Sequence, residues 1–372
     1  MKSVLVTGGK GFMGRNLIAR LAQADEVRVF SYDLENDETE LRDWLACVDI
    51  VFHLAGINRP ERVEEYEIGN AGVTRHICDL LRELKRTPKI VMSSSIQAEL
   101  DNPYGVSKWH AEEALKAFAR ETGTAVAIYR LKNVFGKWGR PEYNSVTATF
   151  CHHIARGVPI SISNPAREIE LIYIDDIVER FVAELNTSVG PEGYFVSDAV
   201  PSTRIKLGDL AGRIQAYHEM KTSLMVPDFS ERFNRCLYAT YLSYVEPDDR
   251  EYDLDLKADA RGNLAEFIKS RHFGQIFVSR TNPGITRGNH YHHTKTEKFL
   301  VISGEGLIRM RHVEGGDLTE YRIRGEDYRV VDIPPGYTHS ITNVGDMEMI
   351  TVFWASEVFN PDRPDTYFLE VG

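Results

Sequence analysis

The 372-residue sequence is poor in cysteine: Cys47, Cys78, Cys151 and Cys236 are widely scattered and form no CxxC pair. Such usage excludes a disulfide-stapled scaffold and belongs to a reducing compartment. Long hydrophobic runs are also missing, since none approaches 18 residues, and nothing reads as a membrane span. The chain starts Met1-Lys2-Ser3-Val4 and enters an apolar run directly, without a signal-peptide pattern. A cytoplasmic protein with no membrane partner is expected. Basic charge is in deficit, with 44 Lys+Arg against 55 Asp+Glu and a net charge of −11. That balance argues against a general nucleic-acid binder, whose affinity comes from clustered Lys and Arg. A small anionic ligand held locally stays open.

What is present falls into two textures. Up to residue 245, short apolar runs at 3–7, 27–32, 50–54, 89–93 and 125–131 alternate with helical-period segments at 13–24, 70–84 and 108–122. Alternating units of this size predict an α/β Rossmann-like, doubly wound parallel sheet covered on both faces. From about Gly274 the pattern changes to strand runs separated by Gly, Pro, Asn and Asp turns, which predicts an all-β sandwich or small barrel. The charged, proline-opened stretch beginning at Glu246 reads as a linker. The expected division is therefore residues 1–245, a linker at 246–262, and a second domain at 263–372. A short helix over 264–270, capped by Asn263, is expected to open that domain.

The first strand runs into Gly8-Gly9-Lys10-Gly11-Phe12-Met13-Gly14 and then a helix. Glycines at 8, 11 and 14 permit a tight turn, close approach of a pyrophosphate and close helix packing, and the helix N-terminus then faces the phosphates. A dinucleotide is expected there. Ser31 stands nearest the position of a ribose-binding acid, with Asp33 two residues later. A neutral Ser31 leaves room for a 2′-phosphate and Lys10 supplies a positive charge, so NADP(H) is favoured over NAD.

Ser93-Ser94-Ser95 ends the strand run from residue 89, and Tyr104 and Lys108 stand four apart at the start of the next helix. That spacing puts both on one helical face, where an ammonium lowers the pKa of a phenol and makes it a usable general acid. With these residues, His53-Leu54-Ala55-Gly56, Arg130-Leu131-Lys132-Asn133 and Ile172-Tyr173-Ile174-Asp175-Asp176, the first 245 residues resemble the extended short-chain dehydrogenase/reductase family. Members act mostly on nucleotide sugars. The resemblance implies Ser95 as the catalytic serine, with Ser94 a close second, Tyr104 as the acid and Lys108 as its partner. It further implies Leu54, Ala55 and Gly56 beside the cofactor, Asn133 against the sugar nucleotide, and Arg130 or Lys132 assisting. Ile96-Gln97 stands where the family's dehydratases carry an acidic pair, which leaves keto reduction or epimerisation.

The second half carries His290, His292, Glu297 and, after Pro334-Pro335-Gly336, His339. Two histidines at i,i+2 share a strand face, and three imidazoles with a carboxylate suit zinc, iron, manganese or nickel. The spacing of both motifs resembles the cupin family, a double-stranded β-helix or jelly roll, in which these four positions hold one divalent metal; zinc is the expected ion. Tyr328 replaces a glycine of the second motif at a turn. His293 reads as a rim residue, and His152-His153 as packed or solvated. A purely structural metal stays open.

A reductase followed by a cupin resembles the bifunctional enzymes of capsular polysaccharide synthesis. That resemblance implies C3 epimerisation of a UDP-4-keto-6-deoxy-N-acetylhexosamine by the cupin and NADPH reduction of its C4 ketone by the first domain, towards UDP-N-acetyl-L-fucosamine, in a homodimer. Removing the C3 proton beside a ketone gives an enolate, which a metal or hydrogen-bond donor stabilises. His312, Lys298, Tyr291 and Tyr337 are candidates by type for the epimerising groups. The alternatives are a reductase, or an NAD-dependent epimerase, with the cupin as a dimerisation module.

Overall fold

The computed structural model describes every residue except 189, 191, 192, 255, 260, 261, 266, 267, 269–273, 358 and 359. The chain forms two compact units, one of residues 1–145 and 168–205 and the other of 146–167 and 206–372.

In the first unit, six parallel strands lie in the order Val27–Tyr32, Lys2–Thr7, Ile50–His53, Lys89–Ser95, Val126–Leu131, Tyr194–Ser197. Val4, Leu5, Val6, Val51, Phe52, Ile90, Val91 and Ile128 are fully buried, as expected where helices cover both faces of a sheet. Strand order reverses at Lys2–Thr7, whose last residue pairs with Tyr32 on one side and His53 on the other. Ligands of open α/β sheets bind beyond the strand ends at such a switch point. Gly8 and the end of Ile50–His53 meet there. The helix expected at 108–122 starts earlier, at Pro103–Thr122, because Asn102 caps it by accepting from the Gly105 N–H at 2.9 Å and Pro103 opens it. Tyr104 thereby sits in the first helical turn.

The second unit contains two five-stranded antiparallel sheets. One runs Glu251–Asp253, Arg329–Ile333, Glu297–Ser303, Met349–Ala355, Gln275–Thr281; the other runs Thr319–Arg324, Glu305–His312, Tyr337–Asn343, Thr286–Tyr291, Tyr367–Phe368. Alternate residues of both, including Phe299, Val301, Ile308, Met310, Val331, Ile341 and Phe353, make one buried core. This is the architecture expected of a cupin. Three helices, Val146–Ala155, Leu207–Ser223 and Arg232–Leu242, belong to the same unit, and Phe229 packs on Trp354 at 5.7 Å.

Two expectations change here. The stretch read as a linker is structured: Pro247–Asp249 is a 3-10 turn, Glu251–Asp253 adds a strand to the first sheet, and Arg250 is buried. Backbone pairing with Arg329–Ile333 outweighs the charged composition that suggested a linker. The short helix expected at 264–270 begins instead as a strand, because Gly262–Ala265 pairs with Leu256–Asp259 in a hairpin. Residues 266, 267, 269 and 270 lie outside the described residues.

Candidate active site and candidate metal centre

The glycine loop closes on itself through Gly11 N–H donating to the Gly8 carbonyl at 3.0 Å. Gly8 has φ +68°, and a Cβ there would lie 2.8 Å from the Ala55 nitrogen; one on Gly14 would lie 2.1 Å from the Gly8 oxygen. Both glycines are thus required by close approach. Helix Phe12–Leu21 begins at Gly11 without a side-chain cap, so the backbone around Phe12 and Met13 keeps its N-terminal donors for a ligand. His53 is buried between Thr7 Oγ1 at 2.8 Å and Thr74 Oγ1 at 2.9 Å, and burial, with Lys108 nearby, lowers its pKa to about 3. A neutral, doubly bonded imidazole fixes the strand end that presents Leu54, Ala55 and Gly56. Asn70 bonds the Ile57 backbone and Ser107 Oγ, tying that segment to helix Pro103–Thr122. A dinucleotide phosphate fits this cradle.

Beside the glycine loop, Ser31 Oγ lies against Gly9, where a Cβ would meet it at 2.0 Å. The Asp33 carboxylate accepts from the backbone N–H groups of Lys10 at 2.7 Å and Leu34 at 2.9 Å. The Lys10 ammonium pairs with Glu35 at 2.8 Å, both side chains about two-thirds exposed.

The three serines at the end of Lys89–Ser95 have distinct partners. The Ser93 carbonyl accepts from the buried Lys108 ammonium at 2.9 Å. Ser94 donates to Glu112 at 2.5 Å. Ser95 lies near enough to the Tyr104 phenol to lower its pKa, and accepts from the Gln97 N–H at 3.2 Å. Ser95 and Tyr104 therefore come together, while Ser94 is committed to a buried carboxylate. Burial lowers the Lys108 pKa to about 8, opposed by Glu112. The phenol differs from expectation: burial pushes Tyr104 up to about 12, with Ser95 acting the other way. Desolvation outweighs the four-residue spacing to Lys108, so the phenol holds its proton. Arg130 is held by two acids. Glu112 binds it through Nε at 2.9 Å and Nη2 at 2.7 Å, and Glu99 takes Nη1 at 2.6 Å. Asn133 is exposed and donates to the Glu170 carbonyl at 3.2 Å; Lys132 pairs with Glu170.

In the second unit the ligand atoms of His290, His292, Glu297 and His339 lie within 4.8 Å of one another. Glu297 Oε2 is 3.3 Å from His292 Nε2 and 3.2 Å from His339 Nε2. Among the described residues both Nε2 atoms are buried without a hydrogen-bond partner, which is the donor set a divalent metal satisfies. Burial, with His339 beside it, lowers His290 to about 4 and keeps it neutral for ligation. Burial opposes ionisation of Glu297, yet His292 holds its pKa well below the usual range.

Asp365 supports this centre from a distant point in the chain. Its carbonyl receives His292 Nδ1 at 2.5 Å, and its carboxylate accepts from the N–H groups of His293, Thr294 and Lys295 at 2.9, 2.9 and 2.7 Å. No spacing rule points to it; the only sequence signal is a lone acid after Pro364.

The four candidates by type separate by strand face. Tyr337 and His339 alternate on the inward face, and the register Met310↔His339, His312↔Tyr337 brings His312 beside Tyr337 with ring centroids 5.1 Å apart. Lys298 follows inward Glu297 and faces outward, bonded to Asp332 at 2.5 Å and Tyr252 at 2.9 Å. Tyr291 lies between His290 and His292 on the opposite face, against Tyr367.

Comparisons with known proteins agree with both halves. The model described as the NAD dependent epimerase/dehydratase family matches residues 4–196, and the one described as the polysaccharide biosynthesis C-terminal domain matches 257–367. A UDP-2-acetamido-2,6-beta-L-arabino-hexul-4-ose reductase of Pseudomonas aeruginosa is 44% identical over 370 residues, 99% of each chain. The capsular polysaccharide assembling protein CapF of Staphylococcus aureus matches in structure with TM-score 0.67 and 44% identity, covering 99% of this chain and 100% of that one. A UDP-glucuronic acid 4-epimerase of Bacillus cereus, at 19% identity, TM-score 0.52 and 58% of this chain against 82% of its own, shares the fold of the first half.

Proposed function

Because the chain belongs to the NAD dependent epimerase/dehydratase family, we propose that it is a bifunctional nucleotide-sugar enzyme. In this reading the metal centre epimerises C3 of a UDP-4-keto-6-deoxy-N-acetylhexosamine, and the Ser95–Tyr104–Lys108 site reduces the C4 ketone. The product is a precursor of UDP-N-acetyl-L-fucosamine for capsular polysaccharide. Full-length similarity to the hexulose reductase and to CapF supports the substrate class. Tyr104 in the first turn of helix Pro103–Thr122, with the Lys108 ammonium anchored at the strand end that carries Ser95, carries the reductase assignment.

When bound, the nicotinamide supplies a hydride and the metal supplies positive charge beside the ketone. Tyr104 gives its proton to the C4 oxygen as that oxygen gains charge, Ser95 orients the carbonyl, and Lys108 supplies a nearby cation. Asn133 contacts the sugar nucleotide. His290, His292, Glu297 and His339 hold one divalent ion, zinc by their chemistry. Reduction traps the epimer, since the alcohol no longer acidifies the C3 proton.

NADP(H) is the cofactor of this reading. Both Asp33 carboxylate oxygens already accept backbone N–H groups, Ser31 is neutral, and the exposed Lys10–Glu35 pair exchanges readily for a phosphate. The chemistry divides as reductase at 1–245 and cupin at 263–372. The reading includes a homodimer, supported by Ile276, Phe277 and Val278 exposed on an edge strand. It also includes a cytoplasmic location, supported by four free cysteines. No helix among the described residues is long and apolar enough to cross a membrane. The test is NADPH consumption with the 4-keto sugar nucleotide, followed by NMR of the product for inversion at C3 and an alcohol at C4.

A further inference from the structure

Arg250 is 1% exposed and makes no ion pair among the described residues. Its Nε donates to the Val245 carbonyl at 3.1 Å, Nη2 donates to the Tyr337 hydroxyl at 2.8 Å, and Nη1 is buried with no partner among the described residues. The guanidinium lies over the Tyr337 ring, 4.1 Å from its centroid. A buried cation without a counter-charge is unfavourable unless something else gains from its field. Here the group it touches is the phenol.

Tyr337 is two residues from His339 on the same inward face, so its ring stands about 7 Å along the strand from the metal set. Because Arg250 occupies a lone pair of the phenolic oxygen, the O–H must point elsewhere. Among the described residues that O–H finds no acceptor. Donation from a guanidinium polarises the phenol and strengthens the hydrogen bond it gives. His312 closes the ring edge-on at 5.1 Å and restricts its rotation. The result is a fixed, strengthened donor two residues along the strand from the metal-set residue His339.

We propose that Tyr337 donates a hydrogen bond to the oxygen that becomes anionic when the C3 proton leaves, and that Arg250 is the positioning residue that aims it. The inference rests on the epimerase reading of the metal centre and deepens it. No proton leaves Tyr337 in this role: the C–H bond breaks to a separate base, the electron pair moves onto the ketone oxygen, and Tyr337 holds that oxygen by a hydrogen bond.

The test follows C3 deuterium exchange of the UDP-4-keto-6-deoxy-N-acetylhexosamine in D₂O, without NADPH, using full-length protein. Tyr337→Phe should lower kcat for exchange about 100-fold with little change in KM, the size expected for one lost oxyanion donor. Arg250→Lys keeps the charge but not the planar fork over the ring, and should lower kcat about 10-fold. The double variant should be no slower than Tyr337→Phe alone, because Arg250 acts through the phenol. Metal content should stay at the wild-type value, and the fall in thermal midpoint from leaving Arg250 short of a partner should not scale with the loss of exchange across the variants. Near-normal exchange in Tyr337→Phe, additive losses in the double variant, or losses that track metal or stability would each overturn the assignment. A wild-type protein that exchanges no deuterium would overturn the epimerase reading itself, and this inference with it.

Discussion

Lys108 donates its ammonium to the Ser93 carbonyl at 2.9 Å, anchoring it at the strand end that presents Ser95. Burial lowers its pKa from 10.5 to about 8, whereas Tyr104 is pushed up to about 12. The alkaline limb of ketone reduction should therefore follow Lys108. The kcat/KM profile should fall above pH 8, and a limb appearing only near pH 12 would reassign it to the phenol. Stability moves the other way. Below pH 8 the native and unfolded chains both hold the Lys108 proton and burial of the charge is fully unfavourable. Between pH 8 and 10.5 the unfolded state holds more protons, so this contribution rises with pH.

Tyr104→Phe removes the proton donor proposed for C4 and should lower NADPH oxidation by about 100- to 10,000-fold. Cofactor binding, followed by nicotinamide fluorescence, should be retained because the glycine loop is untouched. Turnover near the wild-type rate would remove Tyr104 from the mechanism.

Adjacent serines should separate catalysis from stability. Ser95→Ala should slow reduction about 100-fold while leaving the unfolding midpoint in place. Ser94→Ala leaves buried Glu112 short of a hydrogen bond and should cost about 1–3 kcal/mol of stability with a smaller effect on turnover. Denaturant unfolding beside steady-state rates would reveal a reversed pattern.

The strand–helix alternation was legible because a parallel sheet buried on both faces leaves continuous apolar runs such as residues 3–7. The metal set was legible because its four ligands keep fixed spacings: register pairs His290 with His339, and packing of the second sheet brings Glu297 to them. Other features depend on packing that no spacing encodes. The choice between Ser94 and Ser95 turns on Glu112, 18 residues away on a helix. The hold of the same Glu112 on Arg130 is equally invisible in the spacing. Arg250 sits in a charged stretch that reads as solvated, yet strand pairing beside it draws the side chain under Tyr337. Asp365 supports His292 from 73 residues further along.

Elemental analysis should find about one zinc per chain in protein purified without chelator, and His290→Ala should lose it. Asp365→Ala, which frees three backbone N–H groups beside His292, should weaken metal affinity about 10- to 100-fold, the range for residues that orient a ligand. A metal-free wild type would remove the centre from the account.

The claim of two chemically separate sites is tested most directly by deuterium exchange at C3 in the full-length Tyr104→Phe protein, given the 4-keto sugar nucleotide in D₂O without NADPH. The account predicts exchange at the wild-type rate in Tyr104→Phe and loss of exchange in His290→Ala, since enolate formation needs the metal set and neither hydride nor the Tyr104 phenol. Exchange lost in Tyr104→Phe and retained in His290→Ala would place both steps in the first unit and contradict it.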